Sequence, residues 1–317
     1  MTPENCKISV IIATRNRAEA LEKISLPALA KQTFKDFEVI VWDASENDDS
    51  AEVVKGFPEL NIRYFKAPRV GSCSQRNDAV KVAKGEIIYF IDDDSEPSPD
   101  ALEAIYEAMS TGEIAGCSPP EKRGVTSKRK ITKAIEKIFN KIFCLGGEGK
   151  YRRILKSGRN EWPECESASR AEWLTGASMA FRREVFFNHK FDEELQKFGG
   201  YALAEDVMFS YGLFCEGFRL KILEKGYYIH HSIPGGRGDR ISKGAASIYN
   251  FFLIWRKIIY PSNKASLFPF LMSIIGTFLK GIRDLVREGK IDRLKGITLG
   301  FRAMLKRARG ETISKIA

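Results

Sequence analysis

Four apolar runs organise the first hundred residues, and no other feature restricts the fold as much. Ile8–Ala13, Glu38–Asp43, Ile62–Ala67 and Ile87–Ile91 are short and rich in β-branched and aromatic residues, as strands covered on both faces are. Between them, Ala18–Gln32 carries Leu21, Ile24, Ala28 and Leu29 at helical spacing, with Pro27 expected to kink it. Ser50–Gly56 and Ser74–Ala83 read as further helices, the first ended by its glycine and the second stopped by Gly85. Ser98-Pro99-Asp100 then reads as a helix start running through Met109, with Ser98 at the N-cap and Pro99 at the first helical position. Alternation of this kind implies a mostly parallel sheet, in which ligands bind beyond the carboxyl ends of the strands. Thr14, Arg15, Asn16 and Arg17, then Asp43, then Asp92, Asp93 and Asp94 all fall at that edge.

The chain has 317 residues, 44% of them hydrophobic, enough for one large α/β domain and an appendage. Its net charge of +10 suits nucleotide phosphates, nucleic acid or an anionic membrane, and the excess clusters in Lys122–Arg159 and Lys280–Arg309. The six cysteines are scattered without a CxxC pair, which argues for reduced thiols rather than a disulfide framework or zinc cluster. No signal peptide is visible. The segment 118–165 is basic and reads as a mobile insertion near the active site, with a helix at Ile131–Phe143. Ala204–Cys215 looks helical, Arg219–His231 reads as strand, and Ile233–Gly244 reads as a glycine-rich basic loop. From Ala245 onward the pattern is helical, with Tyr249, Phe251, Phe252, Trp255 and Tyr260 near Arg256 and Lys257. The apolar stretch Leu267–Leu279 falls short of the roughly 20 residues that span a bilayer.

Asp92, Asp93 and Asp94 repel one another, and a divalent cation removes that cost; the bland alternative is a solvated acidic turn. Their position directly after an apolar strand at the ligand edge favours the cation. Asp43 can accept from a base imide or a ribose hydroxyl, or simply form an Asx turn with the residues around Ser45. Thr14-Arg15-Asn16-Arg17 can hold base and phosphates, and Arg76 can pair with the acidic triplet or with phosphate. Glu205-Asp206 offers a general base, or a first-turn acidic pair favoured by the helix dipole. His230-His231 ends a strand, so alternation sends one ring to each face and lets one complete a metal shell. The loop around Gly236 and Arg237 can close over a diphosphate or serve as a connector. A GxxxxGK[ST] loop, a GxGxxG after the first strand and a GxSxG elbow are all missing, which disfavours a P-loop nucleotidase, a dinucleotide oxidoreductase and a hydrolase.

SVIIATRNR, VIVWDAS and GSCSQRNDAVKVAKGEIIYFIDDD, with WLTGASMAFRREVF and AEDVMFSYGLFCEGFRL later in the chain, resemble family 2 glycosyltransferases over about residues 7–240. The resemblance implies a GT-A fold, that is, a Rossmann-like, mostly parallel α/β sheet flanked by helices, with a nucleotide-binding half over 1–117 and an acceptor half over 166–240 on either side of the basic insertion over 118–165. The helical C-terminal appendage, amphipathic over 241–317, departs from the simplest members of the family. The resemblance gives Asp43 to the base, Asp92 to the ribose or base side, Asp94 to the metal, Asp206 to catalysis as base with Glu205 in support, and Trp173 and Gly176 to the acceptor pocket. His230 matches the late metal-ligating histidine better than His231, because Pro234 and two glycines follow it.

The expected cofactor is Mn²⁺ or Mg²⁺. The expected donor is a UDP-, dTDP- or GDP-linked sugar, and the acceptor is a hydroxyl of a glycan or lipid-linked glycan, attacked in one inverting displacement. The tail is open to an anionic membrane surface, to packing on the catalytic domain, or to a second copy of the chain as a homodimer, and the expected location is the cytoplasm or the cytoplasmic membrane face. Nucleic acid is not expected. Two rival readings are a sugar nucleotidyltransferase, which would want a Gly-rich triphosphate loop where this chain has TRNRAEA, and a non-catalytic basic nucleic-acid or membrane-binding protein, which leaves the triplet and Glu205-Asp206 without a purpose.

Overall fold

The computed structural model describes residues 6–123, 130–163, 165–167, 169–200, 202–233 and 238–311, with the backbone alone for 130–133. Contacts divide the chain into two compact units that interleave along the sequence. One comprises Met1–Gly124, Cys165–Phe191 and Phe209–Gly236, and the other Val125–Glu164, Asp192–Met208 and Arg237–Ala317.

The first unit opens with β1 (Ile8–Thr14), α1 (Ala18–Ala20), a π turn at Leu21–Ser25 and α2 (Leu26–Ala30). Pro27 lacks the N–H that would bond the carbonyl four residues back, and the helix widens just before it, so that Leu26 N–H reaches the Leu21 carbonyl. β2 (Phe37–Asp43), α3 (Asp49–Lys55), β3 (Ile62–Lys66), α4 (Ser72–Val82) and β4 (Ile87–Ile91) follow the expected order within a residue or two. After β4 come β5 (Ser95–Pro97), α5 (Ala101–Ser110) and β6 (Gly116–Ser118). The start of α5 differs from expectation. Asp100, not Ser98, is its N-cap residue, because the Ser98 hydroxyl donates to Asp100 and accepts from Tyr227 N–H.

Within 118–165, the segment read as an insertion, the described residues form α6 (Lys130–Ile142), close to the expected helix, and a small sheet of β7 (Gly147–Gly149), β8 (Arg153–Ile154) and β9 (Asn160–Pro163). Then come β10 (Ser169–Ala171), β11 (Ser178–Arg182), α7 (Glu205–Cys215), β12 (Leu220–Ile222) and β13 (Tyr228–His230). The tail forms α8 (Arg240–Ile254), α9 (Tyr260–Ser262), α10 (Leu267–Glu288) and α11 (Asp292–Ala308). Part of the expected basic loop is therefore helix, capped by Asp239, whose carboxylate accepts from Ser242 N–H.

The large sheet of the first unit has the order β10-β12-β6-β11-β4-β1-β2-β3. β1 pairs in parallel with β2 and β4, β2 with β3, and β6 with β12, whereas β11 runs antiparallel between β4 and β6. Val10, Ile12, Val39, Val41, Tyr89 and Ile91 form its buried centre with Leu26, Leu102 and Ile105 from the helices. Phe90 of β4 joins Phe181, Phe186, Phe191 and Phe209 in a cluster of edge-on and stacked rings. No disulfide joins any of the six cysteines.

In the second unit α8 and α11 approach closely because Gly296 and Gly300 face the Ile241 and Ala245 carbonyls, and a Cβ at either would collide with backbone. Tyr249, Phe251, Phe252 and Trp255, which the sequence left open to lipid or to packing, are buried. Trp255 stacks on Phe270 and its indole N–H donates to Ser266, so these rings serve as core. The helical segment Lys264–Glu288 is long and apolar enough to cross a membrane, longer than the stretch Leu267–Leu279 suggested.

Candidate active site

β1, β2 and β4 lie side by side in parallel, with Thr14 opposite Asp43 and Ile12 opposite Ile91, so their carboxyl ends bring Thr14, Asp43 and the aspartate triplet to one edge. Directly after the triplet the chain enters β5, which pairs antiparallel with β13 and sets His230 opposite Ser95. That ribbon delivers the imidazole to the triplet from a part of the chain more than a hundred residues away. His230 Nε2 lies 3.2 Å from Asp94 Oδ1 and 3.8 Å from Asp92 Oδ2. One ligand atom each from Asp92, Asp94 and His230 falls within 4.8 Å of the others, the only such grouping among the described residues. Two carboxylates and an imidazole form a donor set that a divalent cation can take. His231 turns away, as strand alternation requires, and its Nε2 lies 2.7 Å from Glu96 while its backbone N–H donates to the Asp94 carbonyl.

The three aspartates have separate environments. Asp92 is partly exposed and pairs with Arg76 at 3.3 Å. Asp93 is buried, accepts from Thr14 Oγ1 at 2.7 Å and pairs with Arg17 at 3.0 Å. Burial pushes its carboxyl up to about 7 despite the pull of Arg17 and Thr14. Asp94 is also buried, which alone would raise it, but hydrogen bonds from His230 and Arg17 outweigh burial and hold it well below the usual carboxylate range. Ile233 N–H also donates to Asp94 at 2.9 Å.

Several residues expected at the nucleotide are engaged within the protein. Arg17 bridges Asp93, Asp94 and the Ile233 carbonyl, so its guanidinium is an internal counterion of the triplet. Asn16 adopts a positive φ of 53° and ties two strand ends together, donating from its N–H to Ser45 and accepting from Glu46 N–H. Arg15 is more open and pairs with Glu46 at 3.3 Å. Asp43 is fully buried, and its Oδ1 accepts from both the N–H and the hydroxyl of Ser45, the Asx-type turn that the sequence allowed. Its Oδ2 accepts from Tyr64 at 2.9 Å, and a carboxylate oxygen has capacity for a second donor. Tyr64 was not singled out in the sequence, although its place on β3 beside Val41 brings it under Asp43.

Arg76 is the hinge of this edge. Its guanidinium is buried over the Phe90 and Phe191 rings, at 6.0 and 5.6 Å, and reaches both Asp92 and the Gly176 carbonyl. Trp173 is buried close by in sequence, and Leu174 N–H donates to Ser210. Glu205 and Asp206 belong to the second unit, at the start of α7, where Asp206 Oδ1 accepts from Val207 N–H at 2.7 Å. Gly236 and Arg237 lie outside the described residues.

Residues 9–166 match the model of the family described as glycosyl transferase family 2. The chain is 34% identical over 194 residues to a GalNAc(5)-diNAcBac-PP-undecaprenol beta-1,3-glucosyltransferase of Campylobacter jejuni, covering 58% of this chain and 62% of that protein. It is 26% identical over 272 residues to a chondroitin synthase of Escherichia coli, covering 80% of this chain but 38% of that one. Among solved structures it resembles the mannosyltransferase PcManGT from Pyrobaculum calidifontis in complex with GDP-Man and Mn²⁺, with a TM-score of 0.55 at 16% identity, over 98% of this chain and 84% of that one. The chain thus spans less than two thirds of either sequence relative.

Proposed function

Since the chain belongs to glycosyl transferase family 2 and has the GT-A fold, we propose that it transfers a sugar from a nucleoside-diphosphate donor to an acceptor hydroxyl in one inverting, metal-assisted displacement. The observation that carries this reading is the convergence of Asp92, Asp94 and His230 at the carboxyl edge of the parallel strands. A divalent cation held there, Mn²⁺ or Mg²⁺, supplies the positive charge that a departing diphosphate needs.

The remaining chemistry belongs to the chain's own side chains. Asp43 Oδ2, braced by Tyr64, accepts from the base or ribose. Arg15 at the open rim binds phosphate oxygen. Arg17 and Asp93 act from behind, fixing Asp94 as a carboxylate. Asp206, supported by Glu205, is assigned on the sequence resemblance alone to take the proton of the acceptor hydroxyl as its oxygen attacks the anomeric carbon. The bond to the diphosphate breaks on the opposite face, which inverts the centre. Trp173, Gly176, Gly236 and Arg237 are assigned to substrate contacts on the sequence resemblance alone.

The Campylobacter relative is named for action on a glycan carried by undecaprenol diphosphate. That favours a lipid-linked acceptor here, and with it action at the cytoplasmic face of a membrane. The test is turnover by an Asp206→Asn variant. The account expects transfer to vanish while donor binding persists, and unchanged turnover refutes the assignment of the base.

A further inference from the structure

The second unit carries an apolar face that its own fold leaves uncovered. Along α10, Phe268, Leu271, Ile275, Leu279, Ile282 and Val286 recur every three or four residues, and all are exposed, Phe268 to 71% and Val286 to 80%. Soluble surfaces rarely keep a continuous apolar stripe of this length in water. Its span of 22 residues is about 33 Å at a helical rise of about 1.5 Å per residue.

The opposite face of α10 is committed to the protein. Gly276 lies against Phe143 and Leu145, Gly281 against Ile297 and Leu294, and Thr277 accepts from the buried Arg159 guanidinium at 2.9 Å. The helix is therefore half core and half surface. To cross a bilayer it would have to leave these contacts and strip Arg159 of its partner.

The charge around the stripe selects its occupant. Arg283, Arg287 and Lys290 are exposed beside it. Both acids of α10 are already neutralised, Asp284 by Arg293 and by Arg283, which lies 3.1 Å away, and Glu288 by Arg240, so cations outnumber acids along this edge. The same unit presents a second exposed stripe on α6, Ile135, Ile138 and Ile142, next to Lys137 and Lys141. A second copy of the chain would bring cationic fringe against cationic fringe, whereas anionic headgroups complement it.

We propose that the exposed face of α10 docks on an anionic lipid bilayer, with the helix lying in the plane of the interface rather than crossing it. The aromatic residues of α8 take no part, being core. This surface gives a lipid-linked acceptor a place to be met. Docking of this face needs no donor or metal, so its failure and that of the transferase reading are distinguishable.

The experiment is co-sedimentation of the full chain with vesicles of phosphatidylcholine, with and without phosphatidylglycerol. Nucleotide-sugar binding is measured in parallel on the same protein. Wild type is expected to partition roughly tenfold or more in favour of the anionic vesicles and to be released by alkaline carbonate. Arg283→Gln with Arg287→Gln should weaken binding by roughly fivefold per cation. Ile275→Ser, Ile282→Ser and Val286→Ser together should abolish it, with an unchanged circular dichroism melt and unchanged donor binding. The proposal is overturned by wild type that stays in solution, by equal binding to both vesicles, by resistance to carbonate, or by a lipid-free dimer that the serine variant dissolves.

Discussion

Arg17→Met exposes how the triplet is held. The guanidinium lies 3.0 Å from an Asp93 oxygen and 2.6 Å from an Asp94 oxygen, and all three groups are buried or nearly so. At an effective dielectric of about 20, each contact is worth roughly 5–6 kcal/mol of Coulomb energy. Desolvation of the three groups cancels most of that, and losing one partner of a buried ion pair typically costs about 3–5 kcal/mol. Asp93, which burial already pushes up to about 7, takes up a proton in the variant and limits the loss. Asp94 keeps the Ile233 N–H and His230. The expected loss is thus near the lower end, about 3 kcal/mol in chelator. Methionine fills the space without charge, so the change is electrostatic rather than a cavity. Urea unfolding in EDTA and in Mn²⁺ measures it, and Mn²⁺ should restore more stability to the variant than it adds to wild type, because a cation at Asp94 replaces the missing charge. A loss below about 1 kcal/mol in EDTA would refute the counterion role, since ordinary surface substitutions cost that little. Equal stabilisation of both proteins by Mn²⁺ would refute the link to the metal site.

Other consequences follow from the same contacts. Glu194 accepts from Arg307, Lys257 and Tyr249, and although burial works to raise it, these bonds lower its carboxyl to about 2. Its contribution is present above the unfolded value near 4.5 and is lost as pH falls from there to about 2. Glu194→Gln should therefore cost about 1–3 kcal/mol at neutral pH, after allowing for the part-exposed Arg307 and Lys257, and the gap to wild type in urea midpoints should close across that acid window. Gly296→Val drives a Cβ into the Ile241 carbonyl and should lower stability by at least about 1–3 kcal/mol, read by thermal melting. His230→Ala should weaken Mn²⁺ binding about tenfold or more by calorimetry, whereas His231→Ala, whose ring sits on Glu96, should leave it unchanged.

The first hundred residues were legible because strands covered on both faces announce themselves as continuous apolar runs, and β4 matches its expected span residue for residue. The triplet's location was legible for the same reason. What one-dimensional spacing does not carry is partnership. Arg17, Asn16 and Asp43 stand among the expected ligand groups, yet each is tied by a residue far along the chain or on another strand end. Alternation predicted that His230 and His231 part company, but only the β5–β13 pairing fixes which of them meets Asp94. In the tail, aromatic and cationic residues left lipid contact and packing equally open. The apolar positions of α8 turn inward, since Gly296 and Gly300 let α11 close over that helix. The uncovered stripe of α10 includes Leu271, Ile275 and Leu279, which composition alone cannot tell from core.

The most direct test of the account is a thermal-shift panel of UDP-, dTDP- and GDP-sugars with and without Mn²⁺, run on wild type and on Asp94→Asn. The account predicts that one nucleotide class raises the melting temperature of wild type only when Mn²⁺ is present, and that Asp94→Asn loses the metal-dependent part. A panel in which no donor gives a metal-dependent shift, or in which Asp94→Asn responds as wild type does, would contradict it.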